Sequence, residues 1–338
     1  MFFTRRKPRV VTVDPWSFLR HVSVENLDKQ REKAALAYID QAYEFFEAAI
    51  NPRISSRPLL YYYSFLNLAK VVLLHRGVNF PPLVRHGIID PRVNVKRRLR
   101  FEGQTVRMEP ARSDHAELFS EFVSALGGSV SAPRTLRVVD LLAQVPGIHR
   151  TYCKVTGSLP HFCPVHGLAL QSGRRQVWCT LKVNRRDWDV KQTFSTIRGA
   201  RRFRRFFTQI QSDTAELLKF ESLAQAGQTR GVDAGIRRLA SGFCDIGLWW
   251  VLTGDGYRLY LADFPHSRRL PQLASIHAVM FYLGSITRYK PYDFDRLVAR
   301  DYAWLVSEFL ATQPMQFLYG VASLLAGVDV VRPFGALG

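Results

Sequence analysis

Five side chains with soft donor atoms fall between positions 149 and 166: His149, Cys153, His161, Cys163 and His166. Imidazole and thiolate are the ligands of tetrahedral zinc, and Pro160, Pro164 and Gly167 are expected to loop the chain around such a centre. The spacing His161-x-Cys163-x2-His166 matches no standard finger, and no CxxC pair accompanies it. The competing expectation is a loop-rich segment with ordinary buried thiols and half-exposed imidazoles. A second constellation is Asp187, Asp189 and Lys191, an Asp-x-Asp-x-Lys run. A metal-dependent nuclease needs carboxylates converging on Mg²⁺, and these are the best-placed candidates for it. The strand expected just before them carries no further acid, so turn carboxylates paired with neighbouring arginines are the alternative. Nucleophilic triads and phosphate loops have no support. There is no G-x-S-x-G, and neither Gly127-Gly128 nor Gly254-Asp255-Gly256 is followed by the Lys-Ser/Thr of a phosphate loop. No cofactor and no catalytic residue is therefore expected with any force.

Charge is the stronger signal. The 338 residues carry 47 Lys plus Arg against 28 Asp plus Glu, a formal charge of +19. The excess sits in three blocks: Met1–Val10, Val84–Arg112 and Arg174–Arg205. Arginine outnumbers lysine by 37 to 10, and Arg201, Arg202, Arg204 and Arg205 interleave with Phe203, Phe206 and Phe207. Guanidinium forks onto phosphate oxygens and stacks on bases, which ammonium does not. Clustered arginine therefore points to a polyanion, nucleic acid first and an acidic protein second. The residues expected to hold a phosphate backbone are Arg92, Lys96, Arg97, Arg98 and Arg100 in one block. In another they are Arg185, Arg186, Arg198, Arg201, Arg202, Arg204 and Arg205. No base-reading motif is present, so contact should be sequence-tolerant and either DNA or RNA would serve.

These residues need elements to position them. Periodicity predicts an amphipathic helix over Glu25–Ile50 and a second over Leu59–Leu74, capped by Ser56, with Pro58 in its first turn and Gly77 at its end. The second is apolar on all sides, which predicts a central, buried helix. Val93–Met108, with a turn at Glu102-Gly103-Gln104, is expected as a basic β-hairpin. Helices are expected over Asp114–Leu126 and Leu136–Gln144, and one with a basic face over Ser195–Gln211. Alternation of Val177, Cys179, Leu181 and Val183 predicts a strand over Arg175–Val183. Trp249–Thr253 and Tyr257–Ala262 read as a hairpin. Helices close the chain at Leu273–Tyr289, Phe294–Thr312 and Met315–Leu325, with Pro291 and Pro314 as breaks. The fold class that follows is α+β, mostly helical with one or two basic β-hairpins or a small antiparallel sheet. A single composite domain over 1–338 is expected, with possible subdivision into 1–130, 131–265 and 266–338.

Two segments carry a resemblance. Arg57-Pro-Leu-Leu-Tyr-Tyr-Tyr-Ser-Phe-Leu-Asn-Leu-Ala-Lys70 is similar to the PLLxYYSxLNLAK helix of YaaC-like bacterial proteins, and Phe281–Pro291 resembles that family's LSxxxRYxP segment. Some relatives of this kind occur in gene clusters of multi-subunit antiphage systems. The resemblance therefore implies other protein subunits of a defence complex as partners. The arginine-rich stretches are not part of the family pattern. The Tyr-rich helix also resembles, more loosely, the second helix of HEPN-type ribonuclease domains. None of the nine histidines has an arginine five, six or seven positions before it, so their catalytic Arg/His motif is missing.

Asn67 and Lys70 stand one turn apart on the buried-looking helix. They are expected either to satisfy polar groups such as Arg288 and Tyr289 on the other family-like segment or to line a small-molecule pocket with them. A cytoplasmic location is expected. Apolar stretches such as 314–327 fall short of the roughly 20 residues of a membrane span, and no signal-peptide core follows the basic start. Four cysteines, at 153, 163, 179 and 244, are too scattered for a disulfide framework. The expected function is a non-catalytic, nucleic-acid-contacting subunit of a bacterial assembly. The alternatives are a divergent metal-dependent or HEPN-like nuclease and a scaffold for an acidic partner.

Overall fold

The computed structural model describes residues 9–50, 56–81, 83–91, 101–112, 114–173, 176–189, 203–223, 225–226, 232–253, 256–262, 264, 269–292, 294 and 302–333. The architecture is α+β and mostly helical, as the sequence pattern implies. It divides into two compact units: a helical one, Thr12–Ser158 with Leu270–Ala326, and a sheet unit centred on Leu159–Arg269 with short stretches from both chain ends.

After β1 (Val10–Val11), the helical unit starts with α1 (Pro15–Asn26) and α2 (Lys29–Ala48). The expected single helix from Glu25 is broken at Asp28, whose carboxylate accepts from the backbone N–H of Gln30 and Arg31 and so starts a new helix. Next comes α3 (Arg57–His75), apolar all round and buried on nearly every side from Tyr61 to Leu74. Gly77, at φ +79°, takes the chain out of it.

Short strands follow: β2 (Val84–Arg85), β3 (Ile88–Ile89), β4 (Thr105–Met108), β5 (Ala116–Glu117) and β6 (Arg134–Arg137). The expected hairpin over Val93–Met108 is revised here. Its second arm, β4, pairs antiparallel with β3 on one edge and β6 on the other. The residues 92–100 of the first arm lie outside the described set. α4 (Leu118–Ala125) begins later than expected because Ala116 and Glu117 pair with β2. α5 (Val138–Ala143) likewise gives up its start to β6. α6 (His149–Thr156) ends at Gly157.

In the sheet unit, β7 (Phe162–Gly173) and β8 (Gln176–Asn184) form a long antiparallel pair. The expected loop around His161, Cys163 and His166 is instead mostly strand. Pro164 lies just past the first β7–β8 pair, Val165 with Val183, where a missing N–H is tolerated, and Gly167 marks a register shift. The short α7 (Arg185–Asp189) follows β8. α8, of which 203–206 are described, then leads into β9 (Phe207–Ile210), so the helix expected to run to Gln211 stops where Phe207 joins the sheet. β10 (Leu217–Ser222) and β11 (Gln225–Ala226) line the same edge of β8, and α9 (Val232–Ile246) follows. The expected hairpin is present as β12 (Leu248–Thr253) and β13 (Gly256–Ala262). The strand order is β12-β13-β7-β8-β10-β9, antiparallel throughout. Val177, Cys179, Leu181 and Val183 point into a core shared with Ile236, Leu239 and Phe243 of α9. Gly242 is required there, because a Cβ would stand 2.0 Å from the Phe206 ring.

The chain then completes the helical unit with α10 (Gln272–Tyr289) and α11 (Ala303–Ala326). Pro314 does not separate two helices; it sits inside α11. Phe309, Leu310, Phe317 and Leu318 are buried on both sides of it, and that packing outweighs the backbone hydrogen bond a proline forfeits. α3 is the hub, in contact with α2, α4, α10 and α11. Phe65 of α3 stacks on Phe317 of α11 with ring centroids 3.9 Å apart. Finally β14 (Val330–Val331) pairs parallel with β1 in the sheet unit.

Candidate functional site

Cationic residues of the sheet unit are presented by an aromatic frame. Asn184, the last residue of β8, accepts the backbone N–H of Arg186 through Oδ1 at 2.8 Å and so turns the chain into α7. Arg185 is tied down twice, its backbone N–H donating to the Glu216 carbonyl at 2.8 Å and its Nε to the Ala215 carbonyl at 3.1 Å. Trp188 of α7 packs on Phe203 and Phe220, ring centroids 5.1 and 5.0 Å away. That contact brings the Arg185–Asp189 turn beside residues 203–206. Phe203 and Phe207 are 3% and 2% exposed, whereas Arg204 and Arg205 are exposed. Over the described part of the interleaved sequence, Phe203 and Phe207 go into the core and Arg204 and Arg205 into solvent.

Among the described residues, the nearby carboxylate found in ion pairs is Asp213. Asp213 holds two lysines, Lys182 at 3.1 Å and Lys219 at 3.5 Å, and these cations keep its carboxyl below the usual range. Among the described residues, Arg186, Arg204 and Arg205 make no ion pair with a carboxylate. Four exposed arginines, 185, 186, 204 and 205, thus stand on two segments joined by one aromatic contact. Arg92, Lys96, Arg97, Arg98, Arg100, Arg198, Arg201 and Arg202 lie outside the described residues.

Among the described residues, the candidate metal ligands are not brought together. Asp187 is half-buried on α7; Lys191 and the side chain of Asp189 lie outside the described set. Cys163 is buried in the sheet core, His166 is exposed on β7, and His161 packs at 5.0 Å against the Phe264 ring. His149 and Cys153 lie in the helical unit, where Nδ1 of His149 faces the Ala143 carbonyl at 3.1 Å and Nε2 meets Cys153 Sγ at 3.4 Å. Among the described residues, no three His, Cys, Asp or Glu side chains group to hold a metal ion.

The two family-like segments do meet, in the helical unit. Asn67 donates through Nδ2 to Gln41 Oε1 at 2.8 Å, and Lys70 lies 3.4 Å from Asn67 Oδ1 with its ammonium over the Tyr38 ring. Those two residues are thus partnered along the α2–α3 contact. Arg288 of α10 instead donates to the Tyr63 hydroxyl of α3 at 2.8 Å, beside a cavity of about 340 Å³. His86, Asp90 and Ser285, which periodicity did not single out, also line it. A run of three tyrosines on an otherwise apolar helix was the available signal, since each hydroxyl requires a polar neighbour.

No helix among the described residues is long and apolar enough to cross a membrane. A family model described as YaaC-like Protein matches residues 1–325, and the chain belongs to that family. Searches of curated proteins and of solved structures found no match.

Proposed function

We propose that this member of the YaaC-like family is a non-catalytic subunit that holds nucleic-acid backbone on the arginine face of its sheet unit. One observation carries the reading. Arg185, Arg186, Arg204 and Arg205 are exposed on adjoining segments, while the only nearby carboxylate in ion pairs among the described residues, Asp213, is already held by two lysines. The aromatic frame fixes the backbone segments that carry these residues, and the planar guanidinium fork loses less freedom per hydrogen bond to phosphate than a lysine ammonium does. Contact of this kind neutralises phosphates without reading bases, so it tolerates any sequence. The multi-protein assembly in which such a subunit would work, an antiphage complex, is supported by the resemblance of the two helical motifs alone.

The test is binding of labelled single- and double-stranded DNA and RNA, with and without Mg²⁺. The reading expects an intact probe, bound by the wild type and at least about tenfold more weakly by the Arg204→Glu/Arg205→Glu double variant at an unchanged melting temperature. A probe cut only with Mg²⁺ would replace it with the nuclease reading, and Asp187→Ala would then abolish cleavage. Absence of binding near physiological salt would leave the face to an acidic protein partner.

A further inference from the structure

The cavity between the two family-like segments has features that packing alone does not require. α3 and α10 approach closely at Gly284, where a Cβ would lie 3.1 Å from Tyr62 Cβ and 3.2 Å from the Pro58 carbonyl oxygen. Beside that crossing, residues of both helices and of the segment from His86 to Asp90, including β3, line a space of about 340 Å³. That volume is at the small end of the range typical of small-molecule sites.

Its lining mixes cations, a carboxylate and aromatic rings. The cations are Arg288, exposed at the last turn of α10, and Lys290 just past it. Tyr63 receives one guanidinium N–H of Arg288, and the guanidinium lies 5.0 Å from the Tyr289 ring, so the group is held in place with donors to spare. The lining also offers hydrogen-bonding groups of both senses. Asp90 accepts from Ser285 Oγ at 2.9 Å. The Tyr62 hydroxyl and His86 Nδ1 are 2.7 Å apart. Burial first, then Lys70 and Arg288, hold His86 below its ordinary value, and burial keeps the Tyr62 phenol protonated. With Nδ1 accepting the phenolic hydrogen, a neutral His86 keeps the hydrogen on Nε2 as a donor. Flat or apolar side chains, Tyr62, Phe281, Ile88 and Tyr289, complete the lining.

We propose that this cavity binds a mononucleotide. The phosphate would lie on Arg288 and Lys290, the planar base against the exposed Tyr289 ring, and a sugar hydroxyl or base amino group near Asp90. A bidentate guanidinium–phosphate contact fixes the anionic end, and stacking on tyrosine is tolerant of base identity. Among the described lining residues, Arg288 and Lys290 supply the cations that suit a phosphate monoester. The site lies wholly within the helical unit and stands independently of the arginine face of the sheet unit.

The experiment is calorimetric titration of the full chain with AMP, GMP, CMP and UMP, alongside adenosine, guanosine and inorganic phosphate. At least one monophosphate is expected to bind in the range of about 1–100 μM, and more tightly than either its nucleoside or phosphate alone. Arg288→Gln should weaken it about tenfold or more, Asp90→Asn should change the preference among bases, and Lys290→Gln is the second variant should Arg288→Gln fail to fold. Arg204→Glu/Arg205→Glu should bind the monophosphate as the wild type does, which separates this site from the nucleic-acid face. The proposal is overturned if no monophosphate binds or raises the melting temperature at about 5 mM. It also falls if phosphate alone binds as tightly, or if binding is indifferent to both Arg288→Gln and Lys290→Gln.

Discussion

His277 is the least comfortable residue in the helical core, and its replacement should stabilise the protein most at acid pH. It sits mid-way along α10, fully buried among the rings of Tyr62, Phe65, Phe119, Phe122 and Phe317, at centroid distances from 5.5 to 6.5 Å. Neither ring nitrogen has a hydrogen-bond partner among the described residues. Burial first, then the nearby His86, push it down to about 3 from 6.5. The folded state thus binds fewer protons than the unfolded state between those values. Stability is fully present above pH 6.5 and is lost as pH falls toward 3. At pH 5 the loss from this group is about 2 kcal/mol, one and a half pH units at about 1.4 kcal/mol each. Replacing it by leucine removes two unsatisfied polar atoms, each costing about 1–3 kcal/mol, and forfeits ring contacts worth about 0.5–1.5 kcal/mol. His277→Leu should therefore be modestly more stable than wild type at pH 8. Its advantage should widen by about 2 kcal/mol at pH 5. Urea unfolding followed by far-ultraviolet circular dichroism at several pH values measures both. His75, bonded to Ser23 and also pushed down, to about 4, is common to both proteins and cancels in the difference. An advantage that stayed constant from pH 8 to pH 5 would refute the reasoning, for it would mean that His277 takes up a proton in the folded state.

Two other substitutions test the packing that positions the sites. Gly284→Ala drives a methyl into Tyr62 and the Pro58 carbonyl, so a loss of about 1–3 kcal/mol is expected in denaturant midpoint, with the melting temperature falling accordingly. Phe203→Ala removes a ring in contact with Trp188, Phe207 and Phe220 and should cost about 3–5 kcal/mol. The adjacent Arg204→Glu should leave the melting temperature within error of wild type; equal damage from both would mean that Arg204 is buried.

Where the sequence pattern succeeded, burial was uniform along an element. α3 was legible because its apolar residues occupy every face, and β8 because Val177, Cys179, Leu181 and Val183 alternate strictly. Pattern failed where tertiary packing overrode a local rule. Pro314 reads as a break but is carried inside α11 by buried neighbours on both flanks. Pro164 and Gly167 read as loop residues, yet one stands just beyond the β7–β8 ladder and the other at its register shift. Val106 and Met108 were legible as strand residues, but no local signal says that their partners come from Ile88–Ile89 and Arg134–Arg137. Within the last arginine cluster, the exposed Arg204 and Arg205 flank a core built on Phe203 and Phe207, which alternation alone would not have separated. The cavity was only half foreseeable. Arg288 and Tyr289 stood out, but His86 and Asp90 reach it from a segment whose sequence carries no periodic signal.

The most direct test of the arginine face is the salt dependence of nucleic-acid binding, measured for the wild type and for Arg204→Glu/Arg205→Glu. Each phosphate held releases counterion, so log K should fall against log salt with a slope of about 0.9 per contact on duplex DNA and about 0.7 on single strands. Four arginines on the face give a wild-type slope of at least about 3. The double variant should bind more weakly with a slope shallower by nearly 2. Equal affinity and equal slope for the two proteins would contradict the account, for the backbone would then be held somewhere other than this face.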